Sequence, residues 1–265
     1  VGGVKFGDLS KYRIDTDLVV SARHEKWLSE NSNPVYSDKA LDFAVEALEA
    51  QAKPRDRRGT ISASSLGSCR RKQQFTFIGM PELPPSPKLA GIFQNGTFMH
   101  IRWQMAGLTE GWMKAAEVPV GRNDYGLSGT QDGIAYDDSV IELKSTNSNG
   151  FNRVMTFGPL GGHPFQVGTY VLTTGAEQGV LIYENKDTQD FKEFVLTRDD
   201  LPLDEIEVIN DGLWKKIAGK ELIDPLDECE AKAGYRYAGC PFRAHCLKIN
   251  SWQHAEEIAD AHRQA

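Results

Sequence analysis

Asp132 lies in the run G-T-Q-D-G (129–133), and Glu142 and Lys144 follow in I-E-L-K (141–144). Side chains alternate along a strand, so Glu142 and Lys144 share one face while Ile141 and Leu143 take the other. If a hairpin returns the second segment beside the first, Asp132 comes next to Glu142. Two carboxylates and a lysine then converge on one side of a sheet. Carboxylates are hard oxygen ligands suited to Mg²⁺ or Mn²⁺, and a lysine beside them adds positive charge for a water nucleophile or a scissile phosphate. The same triplet also fits a surface ion pair, so further elements are needed to choose between the two.

Those elements are legible along the chain. Residues 38–52 place Leu41, Ala44, Val45, Leu48 and Ala52 on one helical stripe, after Ser37 as N-cap and before a stop at Lys53-Pro54. A second helix starts at the serine-rich 62–65 and carries Cys69. Pro-rich 80–87 reads as a linker, and a third helix runs from about Leu89 to Met105 with His100 on it. Short β-rich segments follow at 115–120, 125–138 and 139–146, with a hairpin near Asp137-Asp138. A helix from Pro164 to Thr174, strands at 178–184 and 191–196, and a charged helix from about Asp199 to Lys220 complete the order. This is an α/β arrangement rather than a regular βαβ array.

The chain has 265 residues, 40% of them hydrophobic, with a net charge of −7. That length fits one elaborated domain or a core plus a small lobe. The average charge hides a local excess. Residues 53–72 hold Lys53, Arg55, Arg57, Arg58, Arg70, Arg71 and Lys72 against Asp56, a segment of +6 that leaves −13 for the remainder. Such a segment suits a phosphate-binding face, because local potential steers a ligand; a solvated surface is the alternative. No stretch approaches the roughly 20 apolar residues of a membrane span, and VGGVKFGDLSKYRIDTD lacks the apolar run of a signal peptide. The expectation is a cytoplasmic protein, or one of the host cytoplasm if phage-encoded, with no membrane partner.

In this order the motifs resemble the PD-(D/E)xK nuclease superfamily in its RecB-like branch. G-x-x-x-H at Gly96–His100 is similar to the helix that supplies a metal-binding His, and E-V-P-V at Glu117–Val120 to the acidic strand after it, with Glu117 a minor candidate. Asp132, Glu142 and Lys144 correspond to the catalytic triplet, and Q-V-G-T-Y supplies Gln166 and Tyr170, which in that branch contact the active site or the DNA strand. The resemblance implies a restriction-endonuclease-like αβββαβ core sheet flanked by helices, with an N-terminal helical elaboration and a C-terminal cysteine lobe. The implied divisions are 1–61, 62–220 for the nuclease core and 221–265 for the lobe. The implied metal ligands are His100, Asp132, Glu142 and the backbone carbonyl of Leu143, holding Mg²⁺ or Mn²⁺. The implied activity is a metal-dependent DNA exonuclease acting on single-stranded ends, 5′ to 3′, in phage DNA processing, recombination or CRISPR adaptation. A DNA-end-binding module serving a recombinase, helicase or integrase is the alternative. Replication proteins are among the implied partners.

Cys69 precedes the core, and Cys229, Cys240 and Cys246 follow it. This split resembles the iron–sulfur members of that branch: the CRISPR-associated Cas-four family, the AddB nuclease domain and phage relatives. There four thiolates hold a [4Fe–4S] cluster joining the two ends of the domain. The later cysteines read C-x₁₀-C-x₅-C where the family has C-x₂-C-x₅-C, the enlargement being the loop 230–239. Four thiolates also suit a structural Zn²⁺. The basic run Arg70, Arg71 and Lys72, next to Cys69, is the expected DNA contact.

Overall fold

The computed structural model describes residues 20–53, 56–122, 126–232 and 238–264. The expected helix stop at Pro54, Arg55 of the basic run, Tyr125, part of the loop 230–239 and residues 1–19 of the N-terminal elaboration lie outside them.

In chain order the elements are α1 (Ser21–Glu30), α2 (Asp38–Gln51), β1 (Ile61–Ser62), a 3₁₀ turn (Ala63–Ser65), α3 (Arg70–Ile78), α4 (Pro87–Glu110), β2 (Met113–Arg122), β3 (Leu127–Ala135) and β4 (Val140–Thr146). Then come α5 (Ser148–Phe157), α6 (His163–Thr174), β5 (Gln178–Asn185), β6 (Phe191–Thr197), α7 (Leu203–Ala218), α8 (Asp227–Glu230) and, after a cysteine-bearing segment, α9 (Trp252–Gln264). The expectation contained no helix between β4 and α6; α5 is started by Asn147, whose side chain accepts the N–H of Gly150 at 2.9 Å.

The strands form one mixed sheet. β3 pairs antiparallel with β2 and β4, and parallel with β1 at its start; β4 and β5 are parallel, and β6 closes the edge antiparallel to β5. Both faces of the central strands are covered, as alternation requires of a strand buried on two sides. Val140, Leu181 and Tyr183 pack beneath α5, α6 and α7, while Ile141, Leu143, Val180 and Ile182 pack against α1 and α4. α1 is tied to the sheet by Glu193 of β6, whose carboxylate accepts the N–H of Ser21 at 2.5 Å and of Val20 at 3.2 Å. An acidic side chain there satisfies donors that a helix start leaves open.

A third, smaller core joins α3 to residues 242–259. Phe75 of α3 meets Phe242 with ring centroids 5.6 Å apart, and Met80, Cys246, Ile249, Ala255 and Ala259 surround them. Among the described residues no helix is long and apolar enough to cross a membrane.

α2 corrects one expectation. Ser37 does cap it, accepting from Ala40, but Leu41 is 47% exposed and Val45 and Leu48 are exposed as well. The buried stripe is the adjoining one, Ala40 with half-buried Phe43, Ala44 and Ala47. These mostly small residues let α2 lie close on α4, and the larger aliphatic stripe is turned about one residue's rotation away.

Candidate metal centre

Helix α4 sets one side of the site. Pro87 opens it and Ser86 accepts the N–H of Leu89 at 3.3 Å, which fixes where the helix begins and which face it shows the sheet. Four-residue spacing then stacks Gly96, His100 and Gln104 on one face. His100 Nδ1 lies 3.2 Å from Asp132 Oδ1. The buried Gln104 amide donates to the carbonyl of Asp132 at 2.8 Å and to Glu117 Oε1 at 2.9 Å.

The sheet supplies the rest. β3 and β4 are in register at Gly133–Ile141 and Ile134–Val140, and the pairing stops there. One residue on, the Asp132 side chain takes over: its Oδ2 accepts the N–H of Leu143 at 2.6 Å. On β2, Glu117 has φ +48°, in the left-handed region that a β-strand residue rarely occupies. His100, Glu117 and Asp132 each offer a ligand atom within 4.8 Å of the others. They could hold a metal ion.

Glu142 stands beside this group, 1% exposed. Its Oε1 is paired with Lys144, and its Oε2 is buried with no hydrogen-bond partner. Burial and then the neighbouring Asp132 charge push its carboxyl up to about 7. Burial also opposes ionisation of Asp132, but His100 and Lys144 outweigh it and hold that carboxyl below its ordinary range. Desolvation of His100 is likewise outweighed, by Asp132 and Glu142, and its pKa is raised. The raised pKa favours the imidazolium beside Asp132, and a divalent cation taking this place would compete with its proton. The hard oxygen donors, the orphaned Glu142 Oε2 and the excess of negative charge without the imidazolium fit such a cation.

From the opposite face of the sheet, α6 braces the lysine. Lys144 Nζ donates to Gln166 Oε1 at 3.0 Å, Gln166 Nε2 donates to the Tyr170 hydroxyl at 3.0 Å, and that hydroxyl donates to the Thr130 carbonyl at 2.8 Å. Each amide atom of Gln166 therefore has a defined role. Gln166 and Tyr170 are both buried, and with Lys144 they form part of the cleft wall. The group opens into a cleft of about 1090 Å³ whose walls include Phe93 and Gly96 of α4, Phe43 and Ala47 of α2, and Arg57 and Lys186.

The four cysteines carry free thiols, Cys69 at the start of α3 and the other three after α7. Burial raises the Cys229 thiol pKa, and Cys69, Cys246 and Cys240 raise it further; Cys246 is raised by burial against the opposing effect of Arg71. Cys229 thus feels the other three thiols, although among the described residues the cysteine sulfurs form no group of three or more lying within 4.8 Å of one another.

The expected DNA-contacting triplet is divided. Arg71 is buried, and its guanidinium donates to the carbonyls of Ile223, Cys246 and Ile249, so it is a structural brace and not a phosphate contact. Its position on α3 points inward where Arg70 is exposed and Lys72 half-buried. Sequence reasoning underweighted Glu117 and missed Gln104. The signal for Gln104 was its place four residues after His100 on the same helix.

No family model matches the chain, and no curated protein matches it. Solved structures do. The protein SSO0001 matches at 21% identity over 79% of this chain and 97% of its own, with a TM-score of 0.51. The alkaline exonuclease LHK-Exo from Laribacter hongkongensis, in its complex with dAMP, matches at 18% identity over 62% of this chain and 90% of its own, also with a TM-score of 0.51. The chain has a restriction-endonuclease-like α/β fold, a central mixed sheet flanked by helices, as the motif order implied.

Proposed function

We propose that the chain is a metal-dependent deoxyribonuclease of the exonuclease type. The observation that carries this reading is the convergence of His100, Glu117 and Asp132 beside Lys144 in an open cleft, on a fold shared with an alkaline exonuclease. His100, Glu117 and Asp132 would hold the cation, with Glu142 and the Leu143 carbonyl as the further donors that the motif resemblance implies. A bound Mg²⁺ or Mn²⁺ would supply Lewis acidity toward a phosphoryl oxygen and lower the pKa of a water. Lys144 orients that water and offsets negative charge as the new P–O bond forms and the bond to the leaving oxygen breaks. Gln166 and Tyr170 hold the lysine in place. The motif resemblance supports single-stranded ends and 5′ to 3′ polarity, within phage recombination or CRISPR adaptation.

The four cysteines support a second part of the same reading, a [4Fe–4S] cluster that holds the lobe 221–265 to α3. Their donor set fits it: four free thiols, with Arg71 bonded to the Cys246 carbonyl. Such a cluster would act as a structural clasp, since metal binding of this kind is folding free energy.

The test is purification without oxygen, iron and zinc analysis, and cleavage of end-labelled single- and double-stranded DNA with Mg²⁺, Mn²⁺ or EDTA. Iron with metal-dependent release of nucleotides from ends is expected. Zinc in place of iron overturns the cluster alone. DNA binding without cleavage in either metal overturns the nuclease reading and leaves an end-binding module.

A further inference from the structure

α4 exposes Ile92, Phe93 and Phe98 and has open space at Gly91 and Gly96; of these, Phe93 and Gly96 both line the cleft on the face that carries His100. Phe93 is 58% exposed, a large aromatic surface left in water on the wall of the cleft. It lies seven residues before His100, which is two helical turns on the same face and about 10 Å along the axis. Between them is Gly96. A Cβ built there meets nothing within 4 Å, and its φ lies outside the left-handed range. Neither backbone nor packing therefore demands a glycine, and a glycine inside a helix weakens it. What a side chain at Gly96 would fill is the cleft between Phe93 and His100.

We propose that Phe93 is the stacking wall for one unpaired base, and that Gly96 keeps clear the passage by which that nucleotide's backbone reaches His100. This rests on the nucleic-acid reading above and names the residues that set what the site accepts. Every base has a π-face, so an exposed ring beside a phosphate-cleaving centre grips a strand without reading its sequence. The cleft also carries Arg57 and Lys186 for the phosphates. A base in a duplex is already stacked on its neighbours, so Phe93 selects for a base free to leave the stack.

The test is fluorescence anisotropy with a labelled oligothymidylate and its abasic counterpart, Ca²⁺ replacing Mg²⁺ to prevent cleavage. Phe93→Ala should weaken oligothymidylate binding roughly 5- to 150-fold, the range for one stacked base, and leave abasic binding unchanged. Phe93→Tyr should keep wild-type affinity. Gly96→Leu should weaken both oligonucleotides while the melting temperature holds or rises, because leucine favours the helix. The proposal falls if Phe93→Ala binds oligothymidylate as wild type does, or loses both ligands equally. It also falls if Gly96→Leu leaves binding intact. A wild-type protein that cleaves DNA while both variants match it sinks this inference alone; one that neither binds nor cleaves any DNA sinks the functional reading with it.

Discussion

The carboxylate of Asp132 does the work of a backbone carbonyl in the β3–β4 ladder, accepting the Leu143 N–H at 2.6 Å where strand pairing has already stopped. The two halves of the D…ExK pattern are thus held together by a charged hydrogen bond, with the other carboxylate oxygen left for His100. One residue is both candidate ligand and splice.

Separating those roles gives the first prediction. Asp132→Asn retains an acceptor for Leu143 and removes the charge, so cleavage should fall by orders of magnitude with a nearly unchanged melting temperature in EDTA. Asp132→Ala should lose as much activity and also about 1–3 kcal/mol of stability, since a buried N–H is left unmatched. Equal melting of the two variants would dismiss the splice.

The second concerns pH. Glu142 is raised to about 7 in the folded, metal-free protein, above the ~4.3 of a free Glu side chain, so the native state binds this proton more tightly. Its contribution to stability is complete below the unfolded value and is lost as pH rises through about 7. His24 and His163 act oppositely: burial, assisted by Arg102 and Lys144 respectively, lowers each to about 3, so each favours folding more as pH rises from 3 toward 6.5. Urea unfolding in EDTA should show that Glu142→Gln loses the downward trend between about pH 4.5 and 7 while the histidine trend remains. Parallel curves for the two proteins would refute the assignment.

A third contrast lies within the basic run. Arg71→Ala strips three carbonyls of a buried charged donor and should cost roughly 3 kcal/mol, read as a lower denaturation midpoint. Replacing Arg70 and Lys72 together should leave that midpoint alone and flatten the salt dependence of DNA binding by about one unit for each phosphate no longer neutralised. The converse pattern would return Arg71 to the DNA-binding set.

Tyr170→Phe keeps the ring and deletes the hydroxyl between Gln166 and Thr130. The expected result is a kcat lowered roughly tenfold with KM unchanged, as a lysine set slightly out of place costs rate and not ground-state binding. An altered KM at constant kcat would place Tyr170 on the substrate instead.

What sequence made legible follows from locality. Ser37 as a cap and Asp132 beside Glu142 across a hairpin depend on neighbours a few residues away, and both are present. Asp138 in the turn has φ +70°, which Asp tolerates better than most residues. Glu117 was underweighted because an acid on a strand looks like any solvent-facing residue until its backbone is known to be twisted into the left-handed region. Arg71 was misread for a similar reason: its acceptors lie 152 to 178 positions later, beyond the reach of any local pattern.

That separation has a consequence during synthesis. α3 leaves the ribosome with Arg71, Gln74 and Phe75 in place, yet their partners Glu221, Ile223, Phe242 and Cys246 are made 147 to 175 positions later. At about 5–20 residues per second, α3 waits on the order of ten to thirty seconds for them. During that time Phe75 is an open aromatic surface and Arg71 an unspent charge. A transcript cut short after β6 would encode every residue of the candidate metal centre, yet leave α3 without the segment that covers it. The cover of α3 is therefore supplied by residues 221–259, far in sequence from the candidate metal centre.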